Sequence, residues 1–444
     1  MRKKLTAWIA AGTGATLLIL ALFPVHGSRE PAAPRVVSAA RGSGPLSAGA
    51  AAVPLSTPPG TPIGGYPRLR YASQGVEDEP MARALVLTEA GLSVALASVD
   101  VLLIPAALRR KVEARLADLR LDSVLVAATH THSGPGGFWD DVLGSRFGTG
   151  PYEPALEDAL ADRIADAVRG AAAARAAAMI SVAGSRREDL VRNRDGGARG
   201  GQLLAIRVTR PGGEVMGQVV VFPAHATTRA SRDRVLSGDW PGVLARELPG
   251  VTVFMQGAEG DQTWVLPVPQ PGPPHLAYGR LVAEEVRRLP YPPGDGTPEL
   301  AAAAVEVSLP APSFGAVPAF LDRLLSNLLW NWLPEQTGVV ALRIGPATLL
   351  AVPAEPGEAV GSAWRSALGP GAEVVSLVGD YVGYVETPEG VRARTGEAKR
   401  TYLGPELARV LQDGLSAAKG ALPGATATGR LEADGQPPRS GFHR

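Results

Sequence analysis

The chain has 444 residues, of which 45% are hydrophobic, and its 44 basic and 43 acidic residues leave a formal net charge of +1. A nucleic-acid-binding surface normally brings a basic excess, so this balance argues against a nucleic-acid partner. The sequence contains no cysteine, which excludes disulfides and thiolate metal sites and leaves His, carboxylate and phenol groups as metal ligands.

The first 27 residues are predicted to form a signal peptide or an N-terminal membrane anchor. Arg2, Lys3 and Lys4 make a basic start, and residues 6–23 contain no charge. Such a run is long for the core of a signal peptide and short for a membrane span. Both interpretations predict an exported protein that is periplasmic, secreted or anchored with its bulk outside the cytoplasm. They also predict membrane contact through this segment.

Two further segments lack any apolar periodicity. Residues 28–47 are rich in Arg, Ala, Ser, Gly and Pro and are predicted to be a flexible linker, and residues 424–444 are predicted to be a disordered tail. Between them, residues 48–423 show no low-complexity break and no convincing internal repeat. We therefore expect one large catalytic domain there.

Strands and helices alternate along this domain. Predicted strands cover residues 92–99, 123–128, 203–208, 215–222, 251–255, 347–352 and 374–378, and predicted helices cover residues 106–119, 156–178 and 276–289. This order predicts the α/β class, with mixed β-sheets flanked by helices. A further apolar stripe between Phe320 and Trp332 has helical spacing, and it predicts a core helix, with a lipid-facing access helix as the alternative.

Several predicted strands end in a polar residue within a loop of small residues. These polar residues are Asp100, His130, His132, His225, Asp261 and Glu355. In α/β sheets, ligands bind beyond the ends of the strands, where loops from a rigid scaffold meet. We therefore expect these side chains to converge.

Two imidazoles and a carboxylate of this set, from His130, His225 and Glu355, are the ligand types that zinc hydrolases use with an open position for water. Bound zinc lowers the pKa of water from about 15.7 to about 7 and polarises a carbonyl. His130 and His132 are expected to face one cavity, because alternate residues of an extended segment point to the same side. The alternative for each single histidine is a core residue that hydrogen-bonds to the backbone.

Several segments of the domain resemble the neutral/alkaline non-lysosomal ceramidases. Residues 129–137 (Thr-His-Thr-His-Ser-Gly-Pro-Gly-Gly) carry the most specific motif, and residues 222–225 (Phe-Pro-Ala-His), 351–355 (Ala-Val-Pro-Ala-Glu) and 383–385 (Gly-Tyr-Val) resemble later motifs of that family. The resemblance covers the catalytic domain only. It implies a Zn²⁺-dependent hydrolase that cleaves the amide bond of an N-acylated lipid, ceramide or a related N-acyl amine, by metal-activated water.

The resemblance also implies a metal site with four ligands. His130, His225 and Glu355 fall on ligand positions of the family, and Tyr384 falls on the fourth, phenolic position. Tyr381 is a competing candidate for that position. A free phenol has a pKa of about 10, so only a nearby cation would favour the phenolate.

Further roles implied by the resemblance surround the metal. Thr263 stands where the family carries its catalytic serine, and it would stabilise the oxyanion or attack as a nucleophile. His132 would exchange a proton with the substrate. Asp261 would orient a ligand or stabilise charge, or would only form a turn. Arg194 and Gly65 fall on substrate-binding segments, and the alternative for the arginine is a solvated surface residue.

Residues close to these motifs complete the predicted site. Asp100 and Asp239 are candidate acceptors for the N–H groups of the ligand imidazoles, or they cap loops. Trp139, Trp240 and Trp264 predict an apolar pocket mouth for an acyl chain, with ordinary loop packing as the alternative.

Two other functions fit the same residues. The first is a zinc amidase or esterase for small acylated compounds. The second is a surface-anchored binding module that keeps the fold without turnover. A metal assay and a fluorogenic acyl amide separate these alternatives, because a binding module could hold zinc and cleave nothing.

Overall fold

The computed structural model describes residues 29–66, 72–141, 144–145, 148–314, 317–424 and 431–432, and the single positions 16, 18 and 26. The predicted signal peptide or anchor and most of the predicted tail therefore lie outside the described residues. Within the described part, none of the helices has both the length and the apolar character needed to cross a bilayer.

Strands run through the whole described chain. In the first half they are β1 Arg35–Arg41, β2 Ser43–Pro54, β3 Gly75–Val76, β4 Met81–Ala90, β5 Leu92–Val99, β6 Ser123–Ala128, β7 Ala176–Ala177, β8 Met179–Arg186, β9 Val191–Asn193, β10 Gln202–Thr209 and β11 Val215–Phe222. In the second half they are β12 Val235–Leu236, β13 Val251–Gln256, β14 Gln262–Trp264, β15 Leu300–Ser308, β16 Gln336–Ile344, β17 Ala347–Ala351, β18 Glu355–Pro356, β19 Ala372–Val375, β20 Tyr384–Val385 and β21 Leu431–Glu432.

Helices alternate with these strands. They are α1 Ala106–Arg115, α2 Pro154–Ala173, α3 Asp239–Glu247, α4 Pro274–Arg288, α5 Ala319–Leu329, α6 Glu358–Leu368, α7 Pro388–Ala393 and α8 Leu407–Ala421. Short 3₁₀ turns cover Ala117–Leu119, Glu188–Leu190 and Gly396–Arg400.

Three larger sheets share one pattern of strand pairing. In the first, β2, β4 and β5 are antiparallel neighbours and β6 lies parallel to β5. The same order recurs as β8-β10-β11-β13 and as β15-β16-β17-β19. Each parallel pair is joined by a crossover helix, α1, α3 or α6, because parallel strands cannot be linked by a tight turn. The sequence shows no convincing repeat, so this repetition exists only at the level of topology.

The three sheets pack their inner faces into one central core. Leu96 of the first sheet, Val219 of the second and Leu342 of the third belong to the same buried cluster. The outer faces are covered by α1 and α2, by α3 and α4, and by α6 and α8, respectively. Burial on both faces explains the continuous apolar runs of these strands. The predicted α/β class with helix-flanked mixed sheets is confirmed.

The ends of several strands meet at one place. The Nε2 atom of Gln256, the last residue of β13, donates to the carbonyl of Thr129 at 3.1 Å and to that of Ala224 at 2.9 Å. The backbone N–H of Ala128 donates to the carbonyl of Leu377 at 3.2 Å. These bonds hold the loops after β6, β11, β13 and β19 together, and most of the predicted site residues lie in or near these loops.

The predicted flexible linker is wrong from Arg35 onward. Strand β1 pairs with β15 and strand β2 pairs with β4. These strands are rich in alanine, serine and glycine, and Ala39, Ala40 and Ala48 are buried. Small residues fit between closely packed elements but give no apolar alternation, so composition alone indicated a linker. Within the predicted tail, β21 pairs with β1.

Candidate active site

Three of the predicted ligands come together from different sheets. His130 follows β6, His225 follows β11, and Glu355 begins β18 just after β17. The Oε2 atom of Glu355 lies 3.2 Å from Nε2 of His130 and 3.4 Å from Nε2 of His225. All three side chains are buried. The distances place the three groups around a single point.

Backbone carbonyls fix the orientation of both imidazoles. The Nδ1 atom of His130 lies 2.7 Å from the carbonyl of Leu102, and Nδ1 of His225 lies 2.9 Å from the carbonyl of Glu259. A carbonyl only accepts, so each Nδ1 carries a proton, and the Nε2 atom of a neutral ring presents a lone pair. Burial lowers the pKa of His225 to about 3, so that ring is neutral.

The central point is therefore surrounded by acceptors. The Nε2 atoms of His130 and His225 face the Oε2 atom of Glu355, and this oxygen is buried without a hydrogen-bond partner. Acceptors at such short distances repel one another unless a cation lies between them. The donor set, two nitrogens and a carboxylate oxygen, fits a zinc ion.

Two tyrosines lie beside the carboxylate of Glu355, and their hydroxyl groups contact different partners. The hydroxyl of Tyr384 lies 3.2 Å from Nε2 of His225, whereas the hydroxyl of Tyr381 donates to the other oxygen of Glu355 at 2.8 Å. Residues Glu355 and Tyr384 face each other in the parallel pair β18–β20. Burial raises the pKa of the Tyr384 phenol well above its usual value, and the charge of Glu355 adds to the shift.

A third histidine borders the same point. The Nε2 atom of His132 lies 3.4 Å from Nε2 of His130, and ligand atoms of His130, His132 and His225 all lie within 4.8 Å of one another. Burial lowers the pKa of His132 well below its usual value. This neutral imidazole thus lies where it could accept a proton or join His130 and His225 in binding a metal ion.

The two histidines of the motif reach the cavity by a different route from the one expected. His130 has φ +64° and adopts the left-handed conformation, so the extended-strand argument for residues two apart is wrong. Non-glycine residues rarely adopt this conformation, and it concentrates at functional sites. Gly65 supports the arrangement, since a Cβ atom there would lie 2.6 Å from Cγ of His132.

Thr263 and Arg194 border the same cavity. Thr263 lies on β14 and forms a parallel bridge with His225. Arg194 pairs with Glu397 at 2.7 Å, donates to the carbonyl of Gly260 and keeps a buried Nε without a hydrogen-bond partner. Arg194 is therefore a half-buried residue of the cavity wall, and the alternative of a solvated surface arginine is wrong.

Asp261 has a different position. Its carboxylate accepts from Asn193 at 2.6 Å, from Gln262 at 2.7 Å and from the backbone N–H of Glu358 at 2.9 Å. It is absent from the described residues that line the cavity. Asp261 therefore holds β9, β14 and the start of α6 together, which fits the structural alternative better than a catalytic role.

Neither Asp100 nor Asp239 accepts from the ligand imidazoles. Asp100 bonds to Arg83 at 2.9 Å and to the backbone of Met81 at 2.9 Å. Asp239 accepts from Thr228 and from the backbone of Trp240 at the start of α3. The imidazoles instead contact the backbone carbonyls of Leu102 and Glu259. Every residue has a backbone carbonyl, so the sequence could not identify these partners.

We call His130, His225, Glu355 and Tyr384 the ligand cluster. A cavity of about 2350 Å³ lies beside it. Its polar lining residues include His130, Glu355 and Tyr384. Its apolar walls include Trp139, Trp264, Phe314, Leu325, Leu329, Trp330 and Trp332. Trp240, in contrast, is fully buried and donates to the carbonyl of His225 at 3.3 Å. Two of the three tryptophans expected at a pocket mouth thus line the cavity.

Comparison with known proteins agrees with the motifs. Residues 57–198 match the family profile described as neutral/alkaline non-lysosomal ceramidase, N-terminal. The chain is similar to the neutral ceramidase of Pseudomonas aeruginosa, at 21% identity and a TM-score of 0.71 over 88% of this chain and 76% of that chain. It is also similar to a ceramidase complexed with C2, at 21% identity and a TM-score of 0.71 over 88% and 77%. Comparison with curated proteins finds no match. The resemblance to this family is confirmed, and the fold is ceramidase-like.

Proposed function

We propose that this protein is an exported zinc-dependent amidohydrolase that cleaves the amide bond of an N-acylated lipid, ceramide or a related N-acyl amine. The observation that carries the proposal is the convergence of His130, His225 and Glu355 beside a large cavity, which His130 and Glu355 line together with many apolar side chains. The uncharged N-terminal run after a basic start supports export.

His130, His225, Glu355 and Tyr384 would hold the zinc ion. Zinc at this point would polarise the scissile carbonyl and lower the pKa of a water molecule. The carbonyls of Leu102 and Glu259 fix the imidazole orientation, and Tyr381 fixes the carboxylate, so the ligands need little rearrangement.

Three residues around this point would stabilise developing charge, transfer protons and bind the substrate. The hydroxyl of Thr263 donates a hydrogen bond to the carbonyl oxygen as negative charge develops on it. His132 is neutral because burial lowers its pKa, so it has an unprotonated ring nitrogen. This nitrogen would accept a proton from the attacking water and pass it to the leaving amine. Arg194 offers its unpartnered Nε–H to a polar group of the substrate.

The alternative role for Thr263 is direct nucleophilic attack. Its hydroxyl proton would then pass to His132 and on to the departing amine as the C–N bond breaks and the acyl group is transferred to the threonine oxygen. Water would cleave the resulting ester in a second step, which releases the acid and restores the hydroxyl. The methyl group of threonine restricts the side-chain rotamer and hinders this approach. Donation to the carbonyl oxygen is therefore the favoured role.

The cavity walls favour an acyl chain as part of the substrate. Aromatic and aliphatic side chains contribute much of the cavity lining, and such surfaces bind apolar ligands with a few polar groups fixing orientation. One similar solved protein is a ceramidase complexed with C2, which supports an N-acyl sphingoid base as the first substrate to test.

A substrate panel tests the proposal. The full chain, loaded with zinc, is assayed on N-acyl sphingoid bases, simple N-acyl amines and acyl esters. Glu355→Gln removes one ligand charge and should abolish turnover. Glu259→Gln is the matched control, because Glu259 is also a buried glutamate but its side chain is absent from the described residues that line the cavity. A zinc-loaded chain that cleaves none of these compounds would favour the binding-module alternative.

A further inference from the structure

Helix α5 turns its polar side toward the protein. The carboxylate of Asp322 accepts from the backbone N–H of Phe314 at 2.6 Å, and the hydroxyl of Ser326 donates to the carbonyl of Pro312 at 2.8 Å. No residue of this helix is buried. The predicted core helix is therefore wrong, and the alternative of an exposed apolar helix fits the structure.

The apolar side of the same helix faces outward. The side chains of Phe320 and Leu328 are 59% and 47% exposed, and Trp332, just beyond the helix, is 50% exposed. A surface helix in water normally shows the opposite arrangement, with its apolar stripe on the core. A cluster of exposed large apolar residues on one element therefore indicates an apolar partner.

The exposed apolar surface continues into the cavity. Leu325, Leu329 and Trp330 line the same cavity as His130 and Glu355. The partner of α5 would therefore lie beside the cavity that contains the candidate ligands.

Two residues that follow the N-terminal uncharged run in the sequence lie beside this helix. The imidazole of His26 stacks on Trp330 with ring centroids 4.9 Å apart and reaches the carbonyl of Asn327 at 3.2 Å. The guanidinium of Arg29 lies 4.7 Å from the centroid of the Trp330 ring and donates to the carbonyl of Pro334 at 3.1 Å. A membrane segment at residues 6–23 would therefore hold α5 at the bilayer surface.

We propose that α5 inserts its apolar face into the interface of a lipid bilayer, so that the cavity opens directly onto the lipid. The helix carries a single acidic and a single basic residue, Asp322 and Arg323, so the apolar side chains and Trp332 provide the binding rather than attraction to anionic lipid. Entry of the substrate by this route rests on the proposed function, whereas insertion of the helix does not.

A fluorophore on α5 tests insertion without any turnover. The chain has no cysteine, so Leu328→Cys provides one thiol for an environment-sensitive dye such as NBD. The labelled full chain is mixed with vesicles of phosphatidylcholine. We expect a blue shift and a rise in emission, with little further change when anionic lipid is added. The matched control is Ala159→Cys on the exposed face of α2, where vesicles should leave emission unchanged.

Other occupants of the surface give different results, and each would overturn the proposal. If the N-terminal segment covered α5, the dye at position 328 would be blue-shifted before vesicles are added and would not respond to them. If a second copy of the chain covered it, the shift would follow protein concentration in the absence of lipid. An emission at position 328 that resembles the control at position 159 would exclude insertion.

A paired kinetic measurement tests the route of the substrate. Phe320→Ser with Leu328→Ser changes two exposed residues that lie outside the cavity lining. Turnover of an N-acyl lipid held in vesicles should fall by at least about tenfold, because each side chain loses its apolar contact with the bilayer. Turnover of a water-soluble short-chain N-acyl amine should stay the same. An equal loss on both substrates would contradict entry from the bilayer, and no turnover by either protein would count against the proposed function alone.

Discussion

The Nε2 atom of His130 lies 3.2 Å from the Oε2 atom of Glu355, although the two residues follow strands of different sheets. Both atoms are acceptors in the neutral imidazole and the ionised carboxylate, because the Nδ1 proton of His130 is committed to the carbonyl of Leu102. The contact is stable only when a positive charge lies between the two atoms, and this requirement leads to the first prediction.

Substitution of His130 by alanine should remove the metal and the activity together. The full chain should hold about one zinc ion per molecule, and His130→Ala should hold none, as measured by elemental analysis after dialysis. His275→Gln is the control, since His275 pairs with Glu77 outside the cluster. A His130→Ala variant with a full complement of zinc would exclude this histidine as a ligand.

The two tyrosines should differ in a spectroscopic test. With Cu²⁺ in place of zinc, a phenolate ligand gives a charge-transfer band in the visible range. Tyr384→Phe should abolish this band, whereas Tyr381→Phe should retain it and lower metal affinity by about 10–100-fold, because Tyr381 only orients Glu355. Loss of the band in Tyr381→Phe instead would exchange the two assignments.

Three substitutions at Thr263 should distinguish the contribution of its hydroxyl group to kcat from the contribution of its side-chain shape. Thr263→Ser should keep or raise turnover, since it keeps the donor and removes the methyl group that restricts the rotamer. Thr263→Ala and the isosteric Thr263→Val should lower kcat by about 100–1000-fold with unchanged zinc content. An unchanged kcat in Thr263→Val would show that the hydroxyl group takes no part in the reaction.

Two adjacent glycines provide a matched pair for the position of His132. A Cβ atom at Gly65 would lie 2.6 Å from Cγ of His132, and this residue has φ +109°. Gly65→Ala should therefore displace the imidazole and lower kcat by about 100-fold, because small misplacements of catalytic groups cost that much. At Gly64 a Cβ atom would meet Leu102 at an ordinary 3.4 Å, so Gly64→Ala should remain active. Equal activity of the two variants would contradict this role for Gly65.

Glu373 should make stability depend on pH. Burial raises its pKa from 4.5 to about 7, against the opposing charge of Arg365. Between these values the folded chain binds a proton that the unfolded chain has released, so the free energy of unfolding falls as pH rises through this window. Glu373→Gln should remove that loss, by up to about 3 kcal/mol at neutral pH. Denaturant titrations of the unchanged chain and of Glu373→Gln at both ends of this pH window measure the effect. If the free energy of unfolding depends on pH in the same way in both proteins, the prediction is refuted.

The sequence predicts buried strands well and strands of small residues badly. The predicted limits of β5, β6 and β11 match the structure, because continuous runs of valine, leucine and alanine mark strands that are covered on both faces. β1 was missed because its alanines pack tightly without forming an apolar pattern. The helix predicted to reach residue 178 ends at Ala173, because Ala176–Ala177 pairs with β2 instead.

The candidate metal ligands could be predicted because they are side-chain groups whose residue types can be read in the sequence. Histidines and carboxylates at strand ends are visible in the sequence, and His130, His225 and Glu355 do meet. Their supports could not be predicted, since the carbonyls of Leu102 and Glu259 belong to the backbone. The stripe of α5 illustrates a further limit, because helical spacing is the same whether an apolar face meets a protein core or another apolar phase.

The pairing of β1 with β15 also constrains how the chain acquires its structure. Arg35 lies opposite Glu306 in this pairing, so the third sheet cannot close until the ribosome has synthesised most of the polypeptide. Such long sequence separations slow folding. The nascent protein therefore remains incompletely folded until late in synthesis, which is the state that the proposed export across a membrane would require.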